Sequence, residues 1–201
     1  MEKQRTTKVV ALTAMFLAII GMTVAFAAMS QTLTIQGTAE MRTARWDVRF
    51  VTNTLNTTVS THAELLQAPT LTATNLGTFE ARLTRPGDSV VFTFDVTNAG
   101  DINARIGTLL RNGVAGGMPT CVGQATDPTD ALADAALVCG NLVYTLTYTA
   151  GGATVAVDDT LTAGQTRNLT LRLAIPDTVT QQPTDDVLIN GLGITIIYVQ
   201  N

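Results

Sequence analysis

The sequence predicts an all-β chain folded as an antiparallel sandwich, and three observations carry that prediction. After position 28, apolar residues alternate at period two far more often than they recur at helical spacing. Clusters of Gly, Pro, Asn and Asp interrupt the alternating runs at short intervals, as turns between short strands do. A composition of 46% hydrophobic and 14% charged residues over 201 residues is that of one packed core rather than two.

The chain opens with Lys3, Arg5 and Lys8 ahead of an apolar run from Val9 to Ala28, in which only Thr13, Gly21 and Thr23 interrupt. That layout is an export signal, and Ala25-Phe26-Ala27 supplies the small-x-small pattern for cleavage after Ala27 or Ala28. Residues 1–28 are therefore read as a signal peptide. A retained membrane anchor is the alternative for the same apolar helix, because about 20 apolar residues also match a bilayer. A type IV prepilin leader fits less well: Gly21 lies deep in the run, and Phe26 stands where such leaders place Glu.

Residues 29–201 form the expected sandwich domain. Gln31–Glu40 reads as its first strand, with Leu33 and Ile35 on one face and Thr32, Thr34 and Gln36 on the other. In Arg45–Phe50, Trp46, Val48 and Phe50 share a face. After the Arg85-Pro86-Gly87-Asp88 turn, Val90, Phe92, Phe94 and Val96 point inward and Ser89, Thr93, Asp95 and Thr97 outward, until Asn98-Ala99-Gly100-Asp101 ends the strand. Further strands are expected at Asn103–Leu110, at Asn141–Tyr148 and at Arg167–Ile175, and the last carries Ile194, Ile196 and Tyr198. Helical turns are expected only at Thr58–Leu66 and Asp130–Val138. The second lies within a cysteine-bridged insertion at 112–140.

Cys121 and Cys139 both fall in the exported part, where an even pair reads as a disulfide. Closing a loop of that size contributes on the order of 3 kcal/mol. Two reduced, buried thiols are the alternative.

Chemistry is hard to find in the rest of the chain. His62-Ala63-Glu64 places an imidazole near a carboxylate, but a zinc protease needs a second His on the same helix face and the chain has one His in all. Asp127, Asp130 and Asp134, with the pairs Asp158-Asp159 and Asp185-Asp186, offer hard oxygen ligands, but their spacing matches no calcium loop. Asp130 suits a helix N-cap and Asp134 a helix surface. Gly113, Gly116 and Gly117 read as turn residues. No Ser-His-Asp or Cys-His set can be assembled, so the expectation is a non-enzyme with no cofactor and no metal. Asn56-Thr57-Thr58 and Asn168-Leu169-Thr170 are glycosylation sequons. Only three of the twelve Lys and Arg residues and one of the sixteen acids precede the apolar run, so the exported part is more acidic than the chain's net −4 and nucleic acid is excluded as a partner. That part contains no lysine. Sortase coupling and Lys–Asn isopeptide bonds both require one, so any assembly is non-covalent. No C-terminal sorting signal is expected after Tyr198-Val199-Gln200-Asn201.

The signal ending in AFAAMS, the strand TLTIQGTAE, ARWDVRF, RPGDSVVFTFDVTNAGDINARI and the closing ITIIYVQN together resemble the TasA/camelysin-like secreted proteins, including their archaeal bundling-pilus relatives. The resemblance runs through most of the chain in order, and its motifs are strand patterns rather than catalytic signatures. It implies a jelly-roll or Ig-like sandwich secreted as a subunit of extracellular or biofilm-matrix filaments. It also implies that the N-terminal strand of one copy completes the sheet of the next, which would make Gln31–Glu40 a donor strand with Leu33 and Ile35 as its anchors. The expected partner is then a second copy of the chain, with other surface proteins as further candidates. Membrane contact would be limited to the N-terminal segment before processing. The competing reading is a membrane-tethered surface domain that binds a protein or a glycan.

Overall fold

A computed structural model of the chain describes residues 8–19, 42–77 and 79–201. In chain order the strands are Val48–Phe50 (β1), Asn56–Val59 (β2), Glu64–Gln67 (β3), Glu80–Arg82 (β4), Ser89–Asn98 (β5), Ala104–Arg111 (β6) and Val114–Ala115 (β7). Thr120–Gly123 (β8), the helix Pro128–Asn141, Val143–Tyr148 (β9), Thr160–Leu161 (β10), Thr166–Ala174 (β11), Val187–Asn190 (β12) and Ile194–Gln200 (β13) follow. The fold is all-β and antiparallel.

Sheet I has five strands in the order β1-β5-β11-β9, with β2 also paired to β5. Its centre is built from the strongest alternation in the sequence. Val90, Phe92, Phe94 and Val96 of β5 are at most 3% exposed, and each outward neighbour is half-buried. A nine-residue register against β11 then brings Leu169, Leu171 and Leu173 to the same inner face. Sheet II runs β10-β6-β13, with β7 paired to β6, and packs Ala104, Ile106, Ile194, Ile196 and Tyr198 against that face. Burying such apolar rows between two sheets is the main stabilising term. Two ribbons, β3 with β4 and β8 with β12, stand apart from both sheets.

The strand order is not that of a jelly roll, whose eight strands fill two sheets completely; here four strands stay outside in the ribbons. Three local expectations also change. Trp46 precedes β1 and is 39% exposed, although the Arg45 and Asp47 carbonyls still accept from the Asp101 and Ala99 amides beyond the end of β5. Thr58–Leu66 is not helical: Thr57, Thr58 and Val59 are β-branched and pair with Phe92, Val91 and Val90. The second expected helix is present, but its N-cap is Asp127, whose carboxylate accepts from Thr129 N–H at 2.8 Å, with Pro128 in its first turn. Asp130 lies in that first turn.

The chain divides into two units, Met1–Arg42 and Thr43–Asn201. In the first, residues 8–19 are helical. No helix among the described residues is long and apolar enough to cross a membrane. The rest of the expected apolar segment, residues 20–28, lies outside the described residues, as does Gln31–Glu40 with Leu33 and Ile35.

Candidate functional site

Sheet II stops at β13. Among the described residues this strand pairs on one side only, with β6. An unpaired strand edge presents a row of N–H and C=O groups that another strand can use. The packing shows the same incompleteness: Ile194, Ile196 and Tyr198 point into the core yet are only half-buried, whereas the inward residues of β5 are almost wholly enclosed.

Beside this edge runs a crevice of about 1430 Å³. Its floor is the inner face of sheet I, where Phe50, Phe94, Leu146 and Leu171 reach it. Phe94, Leu146 and Leu171 are almost wholly buried beneath it, with Phe94 edge to face with Phe50 at 5.4 Å between centroids, and the half-buried residues Phe50, Leu83, Ile194 and Ile196 present its apolar lining. One wall is β4 with the residues that follow it, including half-buried Leu83. The other wall is the segment 181–193, which contains β12. Small-molecule sites usually enclose about 300–1,000 Å³, so this crevice is larger than such ligands need. An apolar floor beside a free strand edge fits an extended peptide instead.

The far wall is held from outside the two sheets. Asp134, on the helix, is 5% exposed rather than at the helix surface. Its Oδ1 accepts from Thr184 N–H at 2.9 Å, and its Oδ2 accepts from the Thr184 hydroxyl at 2.8 Å and from Asp185 N–H at 3.0 Å. The Thr184 amide, aided by the Thr184 hydroxyl and Asp185 amide, holds this carboxyl below the usual carboxylate range even though burial pushes it the other way. Cys121 and Cys139 are joined in a disulfide with Cα atoms 5.8 Å apart, which straps β8 to the helix. The β8 strand in turn pairs with β12 residue for residue, Thr120 with Asn190 through Gly123 with Val187.

The other residues singled out in the sequence do not converge. His62 lies 4.0 Å from Asp88 and 3.3 Å from Arg85, with its side chain half exposed, whereas Glu64 pairs with Arg82 at 2.8 Å. Asp88 caps the turn before β5 by accepting from the Thr84 and Arg85 amides. Asp158 pairs with Arg105, and Asp159 accepts from the Tyr148 hydroxyl and the Ala156 amide. Among the described residues no three His, Cys, Asp or Glu side chains stand close enough to share a metal ion. Of the sequons, Asn56 is exposed at the start of β2, whereas the Asn168 amide donates to Asp95 at 2.6 Å in the middle of sheet I. The crevice was not visible in the sequence, because it is formed by segments far apart in the chain, among them β4, the segment 181–193 and the inner face of sheet I. Its nearest signal is the alternation of Ile194, Ile196 and Tyr198, which marks β13 as a strand but not which of its sides is paired. In comparisons with known proteins, no family model, curated protein or solved structure matches the chain.

Proposed function

We propose that the protein is a structural subunit of an extracellular or cell-surface filament, a pilus or matrix fibre, assembled head to tail without covalent links. In this reading the strand Gln31–Glu40 of one copy enters the crevice of the next and pairs with the free edge of β13. The protein is secreted and has no catalytic role.

The observation that carries the reading is the order of the strands. Taking β1, β5, β6, β9, β11 and β13 as strands A to F of an Ig-type sandwich gives A-B-E-D in sheet I and C-F in sheet II, with β10 on the far side of β6 as an extra strand. The strand that such a sandwich would set beside F is G, and no described strand occupies that side of β13. The vacant position and the crevice coincide. Ten residues at roughly 3.3 Å each extend about 33 Å, enough to follow a seven-residue edge. Leu33 and Ile35 would then cover the half-buried apolar residues of the crevice while Thr32, Thr34 and Gln36 face away. A contact of this kind joins two different surfaces, so it propagates instead of closing. The disulfide is compatible with an oxidising, extracellular setting.

The test is the double substitution Leu33→Asp with Ile35→Asp. Burying two carboxylates against an apolar floor costs several kcal/mol, enough to stop addition. The expected product is a folded, secreted monomer by sedimentation and negative-stain microscopy. Filaments of wild-type length from the double variant would overturn the proposal.

A further inference from the structure

We propose that Asp134 is a positioning residue for the crevice: it fixes the wall 181–193 at the distance at which an incoming strand can be captured. This rests on the filament reading and adds to it a part of the chain remote from both β13 and the donor segment.

The segment between β11 and β12 has little of its own to fold around. From Pro176 to Asp186 it carries one apolar residue besides its prolines, Val179, and otherwise Thr, Gln and Asp. Hydrophobic burial therefore cannot define its path, and hydrogen bonds must. Asp134 supplies three of them to two successive residues and uses both carboxylate oxygens. Charge-assisted bonds of this kind are shorter and stronger than neutral ones, and a buried carboxylate that lost them would be left unsolvated. The two states of the wall, docked and released, are thus well separated in free energy.

At its other end the wall is pinned by sheet I, where the buried Tyr144 hydroxyl donates to the Leu192 carbonyl. Between the two pins, β12 is bonded to β8 and to neither sheet of the sandwich. The Asp186 carbonyl accepts from the Gln124 amide, which continues that pairing by one step. The β8 strand lies so tightly on the helix that a Cβ at Gly123 would collide with the Ala131 carbonyl oxygen. Helix, β8 and β12 thus form one brace. Asp134 is the point at which the brace grips the crevice wall.

The experiment compares the full-length wild type with Asp134→Asn, which keeps the shape but loses the charge and one acceptor, and with Thr184→Ser, which keeps the hydroxyl and both amides. Two readouts are taken: hydrogen exchange along the chain, and uptake of a synthetic peptide of sequence SQTLTIQGTAE, residues 30–40, followed by fluorescence anisotropy. For Asp134→Asn, exchange across 181–193 should accelerate by about tenfold or more while β5 and β11 stay as protected as in the wild type, and peptide uptake should fall by about tenfold or more. Thr184→Ser should match the wild type in both. If Asp134→Asn does not fold, Thr184→Val removes the hydroxyl alone and should show the same two changes at smaller size. Unchanged exchange in 181–193, or accelerated exchange with wild-type uptake, overturns the positioning role and leaves the filament reading standing. If the wild type itself takes up no peptide and forms no filaments, the filament reading falls and takes this role with it.

Discussion

Sheet II has two edges, and they are finished in opposite ways. At the β10 edge the chain itself closes the sandwich. The residues after β9 turn back so that Ala153 and Val155 bond to Tyr148 and Leu146 of sheet I, and Asp158 and Asp159 then bond to Ile106 of sheet II. Val155 is left 2% exposed between the sheets, and Arg167 lies 4.9 Å over the Tyr148 ring. At the β13 edge nothing among the described residues crosses from one sheet to the other in this way. The walls there belong to two ribbons, of which the β8–β12 ribbon with its flanking residues is held by a disulfide, a carboxylate and a tyrosine. The contrast shows that the chain can seal a sandwich edge with local sequence, and that among the described residues it does so at one edge only.

The comparison is tested most severely by burying a charge at matched positions. Val155→Asp at the sealed edge should cost several kcal/mol and abolish folding, because its carboxylate has no cation within the core. Ile196→Asp at the open edge should remain folded by circular dichroism, since the side chain is half-buried and borders the crevice. Equal loss of structure in both variants would mean that the two edges are equivalent after all.

Next in size is reduction of the Cys121–Cys139 bridge. Opening it removes up to about 3 kcal/mol, and the loss should fall on the open side. Amides of β8 and β12 should exchange faster while β5 and β11 keep their protection, as read by hydrogen exchange with and without reductant. Uniform acceleration would place the bridge in the main cooperative unit instead.

A smaller effect should appear in alkaline solution. Burial, aided by the bond to Asp159, pushes the Tyr148 hydroxyl at the sealed edge up to about 12, and burial also raises Tyr144 and Tyr198. A hydroxyl whose value is raised on folding stabilises the fold while it is protonated. That contribution is complete below the ordinary value of 10 and is lost as the pH rises through about 12. Tyr148→Phe should therefore flatten the alkaline decline in unfolding free energy by about 1–2 kcal/mol after allowance for solvent screening. Tyrosinate absorbance in parallel identifies the transition. The smallest change is expected for Ile197→Thr, on the outward face of β13 and 46% exposed. Its denaturation midpoint should shift by the equivalent of no more than about 0.5 kcal/mol.

Strands such as β5 and β11 are legible in the sequence because one short-range rule governs them: each inward residue is flanked by outward ones and both ends carry turn residues. The disulfide is legible for a similar reason, since two cysteines allow one pairing. Trp46 misleads because the alternation through Val48 and Phe50 runs on to it while it lies before β1 and is 39% exposed. Thr58–Leu66 misleads because its first residues pair with β5 and its last with β4, partners that lie outside the segment. Asp134 is the clearest case of a long-range fact. Its partners lie 50 and 51 residues further on, and nothing near it distinguishes a buried acceptor from an ordinary acid on a helix surface. The open edge is illegible in a different sense, because alternation marks β13 as a strand without saying which neighbours pair with it.

The Asn168 sequon has a consequence in time rather than in space. Once β11 is zipped between β5 and β9, the Asn168 amide is held by Asp95, and its strand is bonded on both sides. A glycosyltransferase could reach that nitrogen only on a chain that has not yet closed this sheet. Asn56, on the exposed start of β2, remains accessible before and after closure. The pair would therefore act as a clock: sugar on Asn56 alone records modification after folding, and sugar on both records an enzyme that met the chain before sheet I closed.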